Sequence, residues 1–330
     1  MKKIFISCLG DSIDRYLKLK EALGRRFAIE RRVLEQLDDF MIEAGADDLS
    51  QVEFDDWCRT QLHISSSVRR NRMRIVRNFC LYRQRTCPNS FVPNADLFPA
   101  RHQAIRPYVF SDRDIIQLLR TCTMLSPTPR SPLRPHVYRL AVVLLYTTGL
   151  RRGELIRLTL TDYDSRTRTL HVRQSKFHKS RYVPLSYDAN QEIQQYLAAR
   201  RRTLRLPMKA DAPLLCSGNT QERPYSGEGL WHGMHVLMKT AGVRKADGQV
   251  PRVHDYRHGF AICVLLRFYR TGVDLQAKLP LLATYMGHIS IASTEYYLSF
   301  LPELATAASD RFCARYGTLI QELPEGDHHA

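Results

Sequence analysis

Two short stretches of the chain place an arginine where an anion could be bound. In "TGLRRGEL" an apolar helical pattern ends at Gly149, and Arg151 follows two residues later. Glycine often ends a helix because it adopts the left-handed backbone without steric cost. An arginine between that helix and the next must either extend to water or hold an anion. In "HDYRHGFA", His254 precedes Arg257 by three residues, so both would project from one face of a helix.

Two further stretches carry residues that could act on the same anion. "SKFHKSRYVPL" contains Lys176 and Lys179, and "MGHISIASTEYYL" contains a histidine followed by two adjacent tyrosines. A phosphodiester is an anionic electrophile, and nucleophilic attack increases the negative charge on its non-bridging oxygens. Two permanently protonated arginines, Arg151 and Arg257, could bind those oxygens bidentately and stabilise the transition state without a metal ion.

The charge of the chain indicates a polyanionic partner. Its 330 residues contain 49 Lys plus Arg and 33 Asp plus Glu, giving a formal net charge of +16. A phosphate backbone favours such a surface because each Lys or Arg that binds it releases counterions. Ribosome-associated and membrane-surface proteins share this composition, so charge favours a nucleic acid without proving it.

Several other classes of protein are disfavoured by the sequence. The eight cysteines are scattered without zinc-like spacing, and no carboxylate cluster suits a divalent ion, so we expect no metal and no cofactor, which argues against a metal-dependent nuclease. The first apolar run breaks at Gly10, too early for a signal peptide, and no run approaches the roughly 18 residues of a membrane span. We therefore expect a cytoplasmic, nucleoid-associated protein with no membrane contact.

The four motif-bearing stretches, in this order and spacing, resemble the tyrosine recombinase (phage integrase) family. The resemblance covers essentially all of the second, larger domain, and it implies a double-stranded DNA partner. The first domain is similar to the helical core-binding domain of that family. The resemblance implies a recombinase of a mobile element that cleaves and rejoins DNA through a 3′-phosphotyrosine, without metal or ATP. It also implies a homo-tetramer on two synapsed copies of a specific DNA site, formed alone or with related recombinases.

The resemblance assigns roles to the anion-binding residues. Arg151 and Arg257 would clamp the scissile phosphate, His254 would assist proton transfer at the nucleophile, and His288 would donate to the phosphate. A near-neutral pKa suits a histidine for proton transfer. Glu154 lies three residues after Arg151 and would hold that arginine in position; the alternative is an ordinary surface salt bridge.

The resemblance also selects among neighbouring candidates. A hairpin lysine of the family protonates the leaving 5′ oxygen; alignment favours Lys176, with Lys179 as a phosphate contact. The tyrosine of the family follows the second histidine by about nine residues, which selects Tyr297 over Tyr296 as the nucleophile. Adjacent residues of a helix point about 100° apart, so only one can face the phosphate.

Two rival functions remain open at this stage. A type IB topoisomerase would use the same chemistry as a monomer on a single duplex. A catalytically silent DNA-binding or architectural protein would keep the fold but not the reaction, although the full set of six catalytic residues argues against it. The sequence does not distinguish integration from excision or resolution.

The apolar patterns of the segments that must position these residues predict a mainly α fold with a small β-sheet or hairpin. We expect a helical, SAM-like core-binding domain that binds DNA at 1–93, a linker at 94–107, an integrase-type catalytic domain at 108–318 and a tail at 319–330. The stretch "RTLHVRQSKFHKSRYVPLS" alternates apolar and polar residues on both sides of a polar turn, which predicts the hairpin. A C-terminal helix would dock on its own domain or on a neighbouring subunit.

One helix of the first domain is strongly basic. Over 68–83, Val68, Ile75 and Phe79 could share a buried stripe, while the other faces carry arginines and no acid. A merely solvated helix usually mixes charges of both signs. We therefore expect a helix that contacts the DNA backbone, with a simply solvated face as the alternative; the arginines proposed for contact are Arg69, Arg70, Arg72, Arg74 and Arg77.

Overall fold

The computed structural model describes residues 4–25, 27–100, 106–173, 180–205, 207–218 and 222–288, together with 290, 294 and 297. The chain divides into two compact units, Met1–Ile105 and Arg106–Ala330. Within the described residues, no helix is long and apolar enough to cross a membrane. The mainly α fold with one small antiparallel sheet that the sequence predicts is confirmed.

In the part that the structure describes, the first unit is a bundle of four α-helices. They are α1 (Gly10–Ala22), α2 (Ala28–Ala44), α3 (Gln51–Arg59) and α4 (Ser66–Arg83). Each presents an apolar stripe to a common core, which includes Leu34, Trp57 and Phe79. Burial of these stripes is the main source of stability for such helices, because isolated helices of this length are marginal in water.

The basic helix α4 packs largely as the sequence predicts, with one error. Ile75 and Phe79 are buried, but Val68 is 45% exposed and lies outside the core. Val68 stands in the first turn of α4, and the first buried apolar residue of this helix is Ile75, about two turns later. Phe98, inside the segment predicted as a linker, is buried and packs its ring 6.2 Å from that of Phe54.

The second unit is a helical domain with a small sheet. Its helices are α5 (Asp112–Met124), α6 (Arg134–Thr148), α7 (Arg152–Leu155), α8 (Tyr187–Leu204), α9 (Gly227–Thr240), α10 (Val253–Arg270) and α11 (Leu275–Met286). Helix α6 is buried on several sides because α5, α8, α9 and α10 all pack against it. Gly149 ends α6 with a left-handed backbone, φ 61°, as the sequence predicts.

The sheet has three antiparallel strands in sequence order. They are β1 (Tyr163–Asp164), β2 (Thr169–Val172) and β3 (Arg181–Pro184), and β2 and β3 form the predicted hairpin. Leu170 pairs with Val183 and Val172 with Arg181, so these four side chains share the inward face. The predicted basic tip with Lys176 and Lys179 lies outside the described residues, and β1 was not predicted because it is only two residues long.

Candidate active site

Arg257 is fixed by the ends of two helices. It lies in the second turn of α10, is buried, and donates from Nη1 to the carbonyl oxygen of Gly149, 2.8 Å away. Its Nη2 donates to the carbonyl oxygen of Met286. These acceptors lie at the C-terminal ends of α6 and α11, where carbonyl groups lack helical partners and carry partial negative charge. Burial, followed by the charge of Arg151, lowers the Arg257 pKa to about 10, so the side chain stays protonated at neutral pH.

Arg151 is held in the same way, at the start of α7. Its Nη2 donates to the carbonyl oxygen of Gly287, 2.9 Å away and 136 positions along the chain, at the end of α11. Its Nη1 donates to Oε1 of Glu154 at 2.7 Å, and its backbone N–H to Oε2 of the same carboxylate at 3.0 Å. Both arginines named by the sequence therefore meet around the ends of α6 and α11.

Glu154 is a buried carboxylate shared by two arginines. Its side chain is 1% exposed, so the surface salt bridge considered for it is not what the structure contains. Arg181 of β3 donates from Nη1 and Nη2 to the two carboxylate oxygens, at 3.1 and 2.8 Å. Burial opposes ionisation of Glu154, but the hydrogen bonds and charge of Arg181, together with the hydrogen bonds from the backbone and side chain of Arg151, outweigh it and lower the pKa to about 2.

Tyr297 lies beside two histidine rings. Its side chain is 3% exposed, and it packs with buried residues of α10 and α11 such as Ile262 and Met286. Its ring centroid is 6.0 Å from that of His288 and 5.4 Å from that of His258. A 2.8 Å hydrogen bond joins His288 Nδ1 to the hydroxyl of Thr294 and fixes the orientation of that ring.

His254 and His258, both on α10, extend this group of rings towards solvent. The ring of His254, in the first turn of α10, is 4.6 Å from that of His258. His254 is the more exposed of the two, while Arg257 on the same helix is buried among the site residues. The structure thus brings together five residues predicted from the sequence: Arg151, His254, Arg257, His288 and Tyr297.

All three histidines are held neutral at physiological pH. Burial lowers the pKa of His288 to about 4, assisted by the charges of Arg257 and Arg151. Burial, then the neighbouring His254, does the same for His258. His254 keeps solvent access, yet desolvation by its crowded surroundings, then the charges of nearby arginines, lowers its pKa to about 4 as well. A phosphate between the arginines would counter part of this repulsion.

We expect the free protein to lose stability as the pH falls from 6.5 to 4. Each histidine has a folded pKa below the unfolded value of 6.5, so the unfolded chain binds more protons in this range and gains relative stability. Urea unfolding from pH 7.5 to 4.5, with wild type and His288→Asn, measures the effect. The variant should show the weaker pH dependence; equal slopes would contradict the assignment.

Gly149 is required both for its backbone and for its lack of a side chain. An added Cβ would lie 2.6 Å from Phe260 Cδ1 and 3.3 Å from the sulfur of Met286. We expect Gly149→Ala to lower the free energy of unfolding by about 1–3 kcal/mol and to disturb the Arg257 contact. Gly242→Ala is the matched control for urea unfolding, because Gly242 has a similar φ of 71° but no atom within 4 Å of the added Cβ. Equal losses for the two variants would show that the steric contact is unimportant.

Two residues of the site were missed in the sequence, Arg181 and His258. Both stand inside stretches used for the prediction, "SRYVPL" and "HDYRHGFA". The signal for Arg181 was its alternation with Val183, which puts a charge on the inward face of a strand. The signal for His258 was its position one helical turn after His254. Tyr296, Lys176 and Lys179 lie outside the described residues.

The basic helix of the first unit uses several of its arginines internally. Arg70 donates to the carbonyl oxygens of Phe98 and Pro99, and Arg77 to that of Pro93 at 3.2 Å. Arg72 and Arg74 donate to amide oxygens of Gln61 and Asn71, while Arg69 lines a cavity of about 180 Å³ beside Leu62 and Leu97. The face is therefore partly structural, and contact of these arginines with DNA stays a prediction.

A metal site is not evident in the part of the chain that the structure describes. Those residues contain no group of three or more His, Cys, Asp or Glu side chains arranged to hold an ion. The charged centre consists of arginines around one carboxylate.

Comparison with known proteins agrees with this arrangement. The model of the phage integrase family matches residues 113–303. The integrase/recombinase y4rB of Sinorhizobium fredii NGR234 is 32% identical over 316 residues, covering 94% of this chain and 99% of that protein. Tyrosine recombinase XerA of Pyrococcus furiosus is 32% identical over 161 residues, covering 48% of this chain and 49% of that protein.

Solved structures share the fold at lower identity. The Tn1549 transposon integrase in complex with transposon right end DNA has a TM-score of 0.62 at 18% identity, covering 92% of this chain and 99% of that one. The XerH site-specific recombinase bound to palindromic difH substrate has a TM-score of 0.62 at 17% identity, covering 84% and 77%. The fold and the arginine-rich site define an integrase-type catalytic domain. The chain belongs to the phage integrase family, the tyrosine recombinases.

Proposed function

We propose that this protein is a site-specific DNA recombinase that cleaves and rejoins strands through a 3′-phosphotyrosine on Tyr297. The observation that carries the proposal is the anchoring of Arg151 and Arg257 by helix-end carbonyls beside His288 and Tyr297. Family membership supports it, and so does the similarity to a protein named as an integrase/recombinase.

The two arginines would bind the scissile phosphate. A guanidinium carries five N–H donors, and the carbonyl contacts leave donors of both arginines for the non-bridging oxygens. Because the arginines are already fixed in position, they need little reorganisation as charge develops in the transition state. They would supply the positive charge for which other enzymes use a metal ion, so we expect the reaction to proceed without metal.

The transfer itself would be a transesterification. The Tyr297 oxygen forms a bond to phosphorus, the bond to the 5′ oxygen breaks, and neutral His254 assists removal of the phenolic proton. Lys176 on the hairpin would protonate the leaving 5′ oxygen, with Lys179 as a phosphate contact. Attack by a 5′ hydroxyl on the phosphotyrosine reverses the step, and the conserved bond energy makes ATP unnecessary. Since Tyr297 packs within its own unit, cleavage would occur in cis.

The partner would be double-stranded DNA containing a specific recombination site. The net charge of +16 supports this, as do the DNA complexes of the Tn1549 integrase and of XerH. We propose that the first unit grips the duplex through α4, and that a homo-tetramer forms on two synapsed sites, with the C-terminal tail coupling subunits. A role in integration or excision of a mobile element, in the cytoplasm on the nucleoid, fits the relatives.

The decisive experiment detects the covalent intermediate. Nicked duplexes spanning the ends of the element are labelled, incubated with the protein in EDTA and separated on a denaturing gel. A protein-linked 3′ end supports the proposal. Tight binding without any adduct would favour the silent DNA-binding alternative instead. Adduct formation and resealing on a single unpaired duplex, with no dependence on a second site, would favour a type IB topoisomerase.

A further inference from the structure

Arg181 occupies a position in the site that the reaction described so far does not use. It is the first residue of β3, pairs with Val172 across the hairpin, and its side chain is 10% exposed. Both of its terminal nitrogens donate to Glu154. A guanidinium in such a buried position is costly unless it is paired, so this ion pair fixes the geometry around it.

The contacts form a chain that ends at the phosphate clamp. Arg181 binds both oxygens of Glu154, Glu154 accepts from the side chain and backbone of Arg151, and Arg151 donates to the carbonyl oxygen of Gly287. Gly287 also lies against Arg181, since a Cβ there would be 3.1 Å from Arg181 Nη1. The strand, the start of α7 and the end of α11 are thereby joined through one carboxylate.

Arg181 contributes to the charge of the site as well as to its packing. Arg151 and Arg181 are two cations that share a single carboxylate, so the cluster keeps a net positive charge for an anion. The Nε of Arg181 is buried and has no hydrogen-bond partner among the described residues. Without Arg181, Glu154 would be free to rotate towards Arg151 and withdraw its guanidinium from the phosphate.

We propose that Arg181 is a positioning residue for strand cleavage, which acts through Glu154 to keep the Arg151 guanidinium directed at the scissile phosphate. This inference rests on the proposed function. Small misplacements of a catalytic group cost about 10²-fold in rate. We therefore expect Arg181→Gln to slow adduct formation at saturating DNA by about 30–100-fold, with little change in DNA affinity.

Two modified substrates separate this role from a general loss of structure. A methylphosphonate at the scissile position lacks one negative charge, so it depends less on Arg151. A 5′-bridging sulfur leaves as a thiolate and needs no general acid. The ratio of wild-type to Arg181→Gln rates should fall to less than about 10 on the methylphosphonate and stay unchanged on the sulfur substrate. A ratio that falls only on the sulfur substrate would overturn the inference. It would show that Arg181 instead supports the hairpin lysine that protonates the leaving oxygen.

Three further variants complete the test. Arg181→Lys keeps the charge but cannot bind both oxygens, so it should recover only part of the rate. The double variant Arg181→Gln with Glu154→Gln removes both buried charges, and should regain stability without regaining rate. Arg139→Gln is the matched control, since Arg139 pairs in the same bidentate way with Glu192, at 2.7 and 3.0 Å, between α6 and α8. It should leave the rate unchanged.

The outcomes separate the two levels of the argument. If the wild type forms no adduct although it binds the DNA, the proposed function fails and this inference fails with it. If the wild type forms adduct and Arg181→Gln matches its rate while remaining folded, only the role of Arg181 is refuted.

Discussion

Tyr297→Phe is expected to abolish formation of the covalent protein–DNA adduct while leaving DNA binding unchanged. The substitution removes the hydroxyl oxygen and keeps the ring that packs between α10 and α11. Removal of a nucleophile costs on the order of 10⁴-fold or more in rate, since no neighbouring group replaces it. The folded state loses only the interactions of a single hydroxyl, so the free energy of unfolding should change by about 1 kcal/mol.

The measurement uses the nicked duplexes in EDTA, with binding followed by fluorescence anisotropy on the same DNA. Tyr285→Phe is the matched control, because Tyr285 packs on the same cluster and stacks on Phe260 at 5.4 Å. It should retain the adduct. Tyr296→Phe should also retain it; loss in that variant alone would move the nucleophile by one residue and leave the mechanism standing.

Much of the site could be predicted because its signals are local. Gly149 ends α6 just before Arg151, and His254 and Arg257 lie on one helix, so each motif carries its own geometry. The full set of catalytic residues, in the right order along the chain, then identified the family. The mainly α fold followed from apolar periods of 3.6 residues, which were interrupted at the hairpin and in the segment predicted as a linker.

The acceptors that hold the arginines could not be predicted, because they are distant in sequence and carry no side-chain signal. Arg257 donates to carbonyl oxygens of Gly149 and Met286, 108 and 29 positions away. Any residue type supplies a carbonyl oxygen, so only the packing of α6 and α11 decides which ones point at the guanidinium. The same holds for Arg70, whose partners are carbonyl oxygens of the segment that the sequence suggested was a linker.

The sharing of Glu154 was equally hidden. The sequence placed it one helical turn from Arg151, which gives a pair, but the second partner comes from β3, 27 positions later. Two cations on one carboxylate turn a local contact into the junction of three elements. The sharing of Glu154 by two arginines has a large energetic consequence.

Glu154→Ala is expected to be the most destabilising single change in the site. It would leave the guanidinium of Arg181 buried and unpaired, and breaking one side of a buried pair costs about 3–5 kcal/mol. Arg151 would lose its acceptor at the start of α7 as well. Adduct formation should fall by at least the 10²-fold expected for a misplaced phosphate donor.

Urea unfolding and adduct formation test this prediction together. Glu154→Gln keeps the shape and one acceptor oxygen that both arginines can share, but it removes the charge and turns the second oxygen into an NH2 donor. It should therefore lie between wild type and Glu154→Ala in stability. Glu192→Ala is the control for loss of an ion pair, because its partner Arg139 is a third exposed. Since solvent screens that pair, the control should lose only about 1 kcal/mol and keep full cleavage activity. If Glu154→Ala were no less stable than this control, the buried carboxylate would not be the junction that holds the two arginines.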